Sequence, residues 1–392
     1  MEIKSMLKLQ TNRRSCPNGW NGPSHREPAT VSVVTFAPRS GNAAAKARLN
    51  SLSRSLFFGF LLLLMFQQTV FAGQANVFIY HRFDDSRYPS TNISSRKFQS
   101  HLEILHQQGF TVLTLGQILD KIKHGESLPE RCAAITVDDA YRSFLTSGWP
   151  LLKSFGFPAT LFVSTDTVGG GEHLDWQELK TIRNEGVEIG NHTASHAFLL
   201  DQQNDENWEG RVLGEISRAQ QAFERNLGFR PRLFAYPYGE FSPRLAELVR
   251  QAGFDAAFGQ QSGVLTPDQD FFRLPRFPMG GVYADPGDFQ DKLFMKHLPV
   301  KIVSPETTVL EDENPPKLVF SLEEGAFNRE NLRCFVPGQS ECRVDMVPGE
   351  DRLFEIQASK KLVGRRSKYT ITANDGDGTW YWFSQLWVLP RR

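Results

Sequence analysis

The stretch AAITVDD at residues 133–139 closes an apolar run with two adjacent aspartates, Asp138 and Asp139. A short apolar run of this kind predicts a buried β-strand, here over residues 134–137. In barrel-like α/β folds, reactive groups collect where strands end and loops begin. The stretch therefore predicts a strand that delivers a carboxylate pair to one end of a sheet. Most Asp-Asp pairs are instead solvated turns or helix caps, which is what we expect for Asp84 and Asp85.

Short apolar runs alternate with amphipathic helical patterns on both sides of this stretch. Further strands are predicted at residues 77–80, 112–113, 159–163, 187–189, 233–235 and 256–258. Helices are predicted at residues 97–108, 114–123, 176–184, 208–226 and 243–252. Alternation of this kind indicates a parallel sheet, open or closed into a barrel, and we assign it to a domain over residues 73–298.

The pattern changes after residue 298, where prolines punctuate the chain and helical periodicity disappears. Short β-type segments separated by turn residues predict a small β-sandwich domain over residues 299–392. Trp380 and Trp382 alternate on one of these segments, a pattern that is more often core than carbohydrate platform. Glycan binding by this domain is therefore a hypothesis to be tested.

Residues 1–72 are predicted to be a leader that contains a signal peptide. The apolar run at 56–66 follows Arg48 and Arg54, is too short to span a bilayer, and precedes small residues that suggest cleavage after Ala72. The alternative is an uncleaved N-terminal anchor. Either reading predicts an exported protein of the periplasm or cell envelope, with membrane contact only through this segment.

Bulk composition excludes some classes of partner. Lys+Arg and Asp+Glu are both 44, so no excess charge recruits nucleic acid or an anionic membrane. Export permits disulfides, and Cys334 and Cys342 are close enough in sequence to form one. Cys132, at the head of an apolar strand, is expected to be a buried free thiol.

Other polar residues follow other predicted strands. His192 and His196 lie in HTASH after the strand at 187–189, YPYG at 236–239 follows the strand at 233–235, and His81 directly follows Tyr80. Because parallel strands end at the same edge of a sheet, these residues are expected to meet.

Two imidazoles and one carboxylate form a ligand set that leaves positions open for water, as a catalytic metal site requires. A second carboxylate beside it is placed to take the proton of a metal-activated water. The His pair alone would more often be two surface residues of a helix. Combined with the Asp pair, it predicts a one-metal hydrolytic site.

With these motifs the chain resembles the polysaccharide deacetylase family, also called the NodB-homology or carbohydrate esterase 4 domain, over residues 76–299. TVDDA at 136–140 matches the family's Thr-Phe-Asp-Asp-Gly motif, HTASH its His-Ser/Thr-x-x-His motif, and YPYG its Pro-Tyr-Gly turn. The resemblance implies a distorted (β/α)7 barrel followed by the small β domain. It implies that Asp138 is the general base, that Asp139, His192 and His196 bind the metal, and that the backbone N–H of Tyr238 stabilises the oxyanion. The segments YHRF at 80–83, LDW at 174–176 and LPR at 274–276 resemble the branch that deacetylates exported poly-N-acetylglucosamine.

The chain departs from the family pattern around the base. Ala140 replaces the motif glycine, which is a modest change provided that the backbone there is not left-handed. Ala235 stands where many members carry an arginine that pairs with the base. We expect Arg276 to reach Asp138 instead.

The general acid also departs from the pattern, because the late Leu-x-x-His segment of many relatives has no clear counterpart. His297 comes too near the end of the domain, so His81 is the candidate that protonates the leaving amine. The alternative is that His81 only orders the strand-loop junction.

The expected function is removal of N-acetyl groups from N-acetylglucosamine-type units of an exported or cell-wall polysaccharide. The ligand types favour one zinc ion, although cobalt, nickel or iron fit the same set. Trp176, Tyr236 and Tyr238 are the candidates for stacking on the sugar, with core aromatics as the alternative. The rival functions are an O-acetyl esterase and a non-catalytic glycan-binding protein with a degraded barrel. Retention of both aspartates and both histidines speaks against the last.

Overall fold

The computed structural model describes residues 73–311, 313–339 and 342–391. The predicted leader and signal peptide therefore lie outside the described residues. Within the described part of the chain, no helix has the length and apolar character needed to cross a bilayer.

Strands and helices alternate as far as residue 293. The helices are α1 Ser95–Gln107, α2 Leu115–Lys123, α3 Trp149–Phe155, α4 Trp176–Asn184, α5 Trp208–Leu227, α6 Pro243–Gln251 and α7 Pro286–Leu293. The strands of this part are β1 Ala75–Tyr80, β2 Arg82–Phe83, β3 Asn92–Ile93, β4 Thr111–Val112, β5 Cys132–Asp138, β6 Thr160–Val163, β7 Glu188–Asn191, β8 Leu233–Ala235, β9 Ala256–Phe258 and β10 Phe277–Pro278.

The largest described sheet has eight parallel strands in the order β10-β1-β5-β6-β7-β8-β9, with β4 beside β5. Its two edges approach each other through residues 274–278. Leu274 exchanges backbone hydrogen bonds with Ala257 and Gly259 next to β9, while Phe277 pairs with Phe78 of β1. The sheet is thus curled into a distorted barrel, and the predicted α/β fold is confirmed.

Helix α1 illustrates how the sequence pattern produces the packing. The Ser94 side chain accepts the N–H of Lys97 and begins the helix. Phe98, Leu102 and Leu105 recur at helical spacing and are fully buried against the sheet. Each such side chain contributes about 1.5–3 kcal/mol on burial.

Two helices were not predicted from the sequence, α3 and α7. Both carry a proline in the first turn, Pro150 and Pro286. A proline in a helical interior removes a hydrogen bond, but in the first turn its missing N–H would have no helical partner anyway. Short helices with such starts lack the long apolar periodicity on which the sequence prediction relied.

After residue 293 the described chain continues as strands: β11 Lys296–His297, β12 Val300–Ser304, β13 Lys317–Leu322, β14 Asn328–Phe335, β15 Cys342–Met346, β16 Leu353–Ala358, β17 Arg366–Asn374 and β18 Trp380–Val388. They form two four-stranded sheets, β11-β18-β17-β14 and β12-β13-β16-β15. Leu318 and Phe320 of one sheet share a core with Tyr369 and Trp387 of the other. This is the expected all-β architecture; the domain boundary at residues 298 and 299 stays a prediction.

The cysteines and tryptophans of this region are structural. Cys334 of β14 and Cys342 of β15 form the predicted disulfide, which joins the two sheets. Trp387 lies in the core between the sheets, and Trp382 packs against Phe277 of the barrel. These two indoles are therefore core residues and not a carbohydrate platform. Cys132 is a buried free cysteine, as expected.

Candidate active site

The carboxyl ends of the barrel strands bring the candidate residues together. Asp138 is the last residue of β5 and Asp139 follows it, His192 follows β7, and His81 follows β1. Because these strands are parallel, their ends meet at one edge of the barrel.

Asp139, His192 and His196 converge on one point. Asp139 Oδ1 lies 3.5 Å from His192 Nε2 and 3.4 Å from His196 Nε2. One potential ligand atom from each of the three residues lies within 4.8 Å of the others. This is the trio that the sequence predicted as metal ligands.

The chemistry of this trio fits a divalent cation. His192 Nδ1 donates to the Ala235 carbonyl at 2.8 Å, which leaves the Nε2 lone pair free. That buried Nε2 has no hydrogen-bond partner among the described residues. Burial of an unpaired polar atom costs free energy, so a bound ligand at this atom is expected. Burial lowers the pKa of His196 to about 4, so this imidazole is neutral and able to act as a ligand at pH 7. Two imidazoles and one carboxylate are ligands that zinc and related transition metals prefer.

Asp138 and Arg276 form a buried ion pair beside the trio. Arg276 donates from Nη1 and Nη2 to the two carboxylate oxygens of Asp138, at 2.7 and 2.9 Å, and both side chains are fully buried. Its Nε donates to the Gly259 carbonyl. Burial raises the pKa of Asp138, but the charges of Arg276 and His192 outweigh burial and lower it to about 2. The carboxylate is therefore ionised and held in a fixed orientation, and the expected contact with Arg276 is present.

A cleft of about 580 Å³ opens over these groups. Its walls include His81, Asp139, His196 and Tyr238. Burial lowers the pKa of His81 more than the nearby carboxylates of Asp139 and Asp138 raise it. The cleft wall thus includes two residues of the trio, Asp139 and His196, together with the His81 imidazole, whereas Asp138 and His192 are fully buried beside them.

Comparison with known proteins agrees with this geometry. The polysaccharide deacetylase family model matches residues 125–257. The chain is 25% identical over 210 residues to the poly-β-1,6-N-acetyl-D-glucosamine N-deacetylase of Staphylococcus aureus (strain MRSA252), covering 51% of this chain and 72% of that protein. The structure of IcaB from Ammonifex degensii matches with a TM-score of 0.50 and 26% identity, over 56% of this chain and 97% of that one. The chain is thus similar to polysaccharide deacetylases in both sequence and fold.

A further solved structure shares the fold of this deacetylase. Streptococcus pyogenes deacetylase PplD in complex with acetate matches with a TM-score of 0.51 and 16% identity, over 56% of this chain and 98% of that one. The segment matched by the family model ends at residue 257 and begins at 125, so it contains neither His81 nor Arg276. His81 was predicted from its position at a strand end, and Arg276 from the absence of the family arginine at Ala235.

The structure corrects the expectation for Ala140. Asp139 and Ala140 both adopt left-handed backbone conformations, with φ of +73° and +54°. In this conformation the Cβ of Ala140 is unfavourable, and relative to the motif glycine it destabilises the turn by about 1–2 kcal/mol. The replacement of glycine by Ala140 would be modest only with a backbone that is not left-handed, and the backbone here is left-handed. The turn nevertheless directs Asp139 toward the two histidines.

Two of the three candidate sugar-stacking aromatics are placed elsewhere. The Tyr236 ring is fully buried among Phe234 and Phe241, and its hydroxyl donates to the Phe272 carbonyl at 2.9 Å. Trp176 packs edge-on against Phe223 of α5 and is not part of the cleft wall. Neither side chain lines the cleft, and both pack within the hydrophobic core of the barrel.

Tyr238 is the aromatic that does lie at the cleft. Its ring stacks on Phe198 with a centroid distance of 3.9 Å and approaches the His196 ring at 4.4 Å. His297, by contrast, bonds Gln269 and lines a different cavity. Asp84 accepts the Ser95 N–H at the start of α1, which agrees with the cap expected for it.

Several residues of the cleft were missed from the sequence: Arg82, Tyr88, Tyr141, His173 and Arg366. The Arg82 guanidinium lies between the Tyr88 and Tyr141 rings, 3.7 and 3.4 Å from their centroids, and forms ion pairs with Asp85 and Glu172. The signal for this wall was the cluster of Arg, Asp and Tyr at residues 82–88, which follows the first barrel strand. His173 lies in a glycine-rich loop whose position relative to the strands the sequence does not reveal.

Proposed function

We propose that this deacetylase removes N-acetyl groups from N-acetylglucosamine-type units of an exported polysaccharide, with a divalent metal ion held by Asp139, His192 and His196. The observation that carries the proposal is the ionised Asp138 carboxylate, fixed by Arg276 and lying 3.8 Å from His192 Nε2 of the ligand trio. The named activity of the Staphylococcus aureus relative supports the substrate class.

The ion, for which zinc is favoured by the ligand types, would lower the pKa of a bound water and polarise the acetyl carbonyl. Asp138 accepts the proton of the attacking water, because it is ionised and points into the site beside the trio. Arg276 keeps that carboxylate charged and prevents it from turning away. The water oxygen is added to the acetyl carbon, the C–N bond breaks, and acetate and an amine result.

His81 and Tyr238 complete the proposed reaction. The Tyr238 backbone N–H donates to the oxygen that gains charge as water adds to the carbonyl. Burial lowers the pKa of His81 below its ordinary value, so its imidazole is mostly neutral at pH 7 and its protonated form is a stronger acid than an ordinary imidazolium. His81 therefore suits a group that takes up the proton that Asp138 has removed from the water and delivers it to the amine nitrogen as the C–N bond breaks, which returns both side chains to their starting states.

The protein is proposed to act outside the cytoplasm. The predicted signal peptide and the Cys334–Cys342 disulfide support this location, because disulfides persist in oxidising compartments. N-terminal sequencing of the exported protein tests it. A mature chain that still contains residues 56–66 would favour the uncleaved anchor.

The function is tested by elemental analysis of the purified chain and by acetate release from chitooligosaccharides and from oligomers of β-1,6-linked N-acetylglucosamine. We expect one metal ion per chain and acetate from at least one of these N-acetylated series. The matched control is His124→Ala, since His124 is exposed and lies outside the cleft. Acetate release only from O-acetylated glycans would identify an esterase. Absence of both metal and acetate would identify a glycan-binding protein.

A further inference from the structure

The C-terminal β-sheets reach the candidate active site through two adjacent arginines at the start of β17. Arg366 is one of the residues that line the cleft, together with His81, Asp139 and His196. Its side chain is 40% exposed, whereas the side chain of its neighbour Arg365 is 20% exposed. The two arginines therefore have different roles, Arg365 as an anchor and Arg366 as part of the cleft wall.

Arg365 fixes the strand to the barrel. Its Nε and Nη2 donate to both carboxylate oxygens of the buried Glu240, at 2.7 and 2.6 Å, and its Nη1 donates to Asp201 at 2.6 Å. Glu240 follows the Tyr236–Gly239 turn directly. A bidentate pair of this kind is geometrically specific, so it sets the position of Arg366 relative to the turn.

Arg366 holds the turn itself. Its Nη1 donates to the backbone carbonyl of Tyr238 at 2.6 Å, and its guanidinium lies 5.3 Å from the centre of the Tyr238 ring. The Phe198 ring stacks on the Tyr238 ring and itself lies under the Arg365 guanidinium, 4.0 Å from it. Arg365 and Arg366 thus contact the Tyr238 backbone, the Tyr238 ring and the Phe198 ring beside it.

The held residue has an unfavourable backbone. Tyr238 has φ of +60° and ψ of 4°, a left-handed conformation that a residue with a Cβ adopts only when its surroundings impose it. The hydrogen bond to its carbonyl restrains ψ, which together with φ sets the angle between the peptide planes on the two sides of the residue. One of those planes carries the Tyr238 N–H.

We propose that Arg366 is a positioning residue of the active site, which keeps the Tyr238 peptide in its left-handed conformation, so that the β-sheets supply part of the catalytic wall. This inference rests on the proposed role of the Tyr238 N–H in stabilising the oxyanion. It predicts that the barrel residues alone are not sufficient for full turnover.

The test compares Arg366→Ala and Arg366→Lys with the wild-type full chain. The control is Arg343→Ala, an arginine of β15 whose side chain is 85% exposed. The Arg366→Ala chain should fold, because Glu240 keeps its bidentate partner and the Tyr238 carbonyl gains access to water. We expect its kcat to fall about tenfold or more, on both an N-acetylglucosamine oligomer and a small acetate ester, with KM changed less than about twofold.

Two rescue measurements separate positioning from a general structural effect. Lysine retains a charged donor on a long stem, so Arg366→Lys should recover most of the lost kcat. Added guanidinium ion should raise the kcat of Arg366→Ala and leave that of Arg343→Ala unchanged. A kcat of Arg366→Ala within about twofold of wild type, or a loss confined to KM, overturns the proposal.

Hydrogen exchange provides a readout that does not depend on activity. The N–H groups of Gly239 and Glu240 donate to Tyr236 and Pro237 within the turn. We expect faster exchange over residues 236–240 in Arg366→Ala and unchanged exchange in Arg343→Ala. Unchanged exchange in both variants refutes the positioning role. If the wild-type chain releases no acetate from any substrate, the proposed function fails, and the exchange measurement still decides whether Arg366 holds the turn.

Discussion

The Arg276 guanidinium and the Asp138 carboxylate form two parallel hydrogen bonds of 2.7 and 2.9 Å, and neither side chain is exposed to solvent. Thr136 and the Gly259 carbonyl accept from the remaining face of the guanidinium. A buried pair of this kind balances a large desolvation cost only while both partners are present. The pair is thus both a structural element and the carrier of the proposed base of the site.

Removal of Arg276 is predicted to destabilise the fold. Arg276→Ala leaves a buried carboxylate without its counter-charge, so the free energy of unfolding should fall by about 3–5 kcal/mol. Chemical denaturation measures this directly. The control is Arg232→Ala, since Arg232 pairs with Asp120 at a site where its side chain is 40% exposed, and such pairs contribute about 1 kcal/mol or less. Equal losses in the two variants would contradict the prediction.

The pH dependence of turnover should also depend on Arg276. Arg276 opposes burial and holds the pKa of Asp138 near 2, below its ordinary value, so the carboxylate stays ionised as the pH falls. In Arg276→Lys the bidentate contact is lost and burial raises the pKa. The acid limb of kcat/KM should move to higher pH relative to wild type. If the acid limb of Arg276→Lys lies at the same pH as that of the wild type, Asp138 is not the general base.

Removal of metal should affect stability through the ligand trio. Chelation of wild-type protein is expected to lower Tm, because an ion that binds the folded state alone stabilises it by mass action. His196→Ala and Asp139→Asn should have little bound metal and a Tm insensitive to chelator. In His124→Ala, the metal content and the response of Tm to chelator should both match those of the wild type. A chelator-sensitive Tm in His196→Ala would place the ion elsewhere.

His81 and His173 provide a matched pair for the general acid. Both imidazoles line the cleft, and burial is the main cause that lowers the pKa of each. His81→Gln should lose turnover by about 10²–10⁴-fold while retaining its metal. His173→Gln should lose much less, since His173 follows no barrel strand. A larger loss of turnover in His173→Gln than in His81→Gln would instead identify His173 as the general acid.

Tyr236 and Tyr238 should differ in what they affect. Tyr236→Phe removes the buried hydroxyl that bonds Phe272, so we expect a loss of about 1–2 kcal/mol in stability with unchanged KM. Tyr238→Ala removes a ring from the cleft wall and should raise KM for a glycan oligomer with little loss of stability. Denaturation and steady-state kinetics on both variants check this, and a raised KM in Tyr236→Phe would restore its predicted contact with sugar.

The parts predicted best were those whose signal is local. Strand β5 and helix α1 have clear periodicity, and each was predicted within a few residues of its observed bounds. The ligand trio was reached because parallel strands end at one edge, and the contact of Arg276 was expected because Ala235 stands in place of the family arginine. The dipeptide at residues 138–139 alone could not have shown this.

The direction in which a side chain points was the property that the sequence predicted least well. Tyr236 and Tyr238 are two residues apart in one motif, yet one is fully buried and the other lies at the cleft, because the left-handed turn reorients the chain between them. Arg366 was missed for a different reason. It contacts Tyr238 across 128 residues of sequence, and no local pattern reports a contact between a β-sheet and a barrel loop.

The segment at residues 274–278, which joins the two edges of the sheet, has a consequence for the order of folding. It carries Arg276, whose partner Asp138 lies 138 residues earlier in the chain. Any partly closed form that buries Asp138 without Arg276 therefore leaves the carboxylate uncompensated, which adds a free-energy penalty to that form. Closure and completion of the base are a single event, so a chain that ends before residue 276 has the ligand trio but not the charge balance that the site requires.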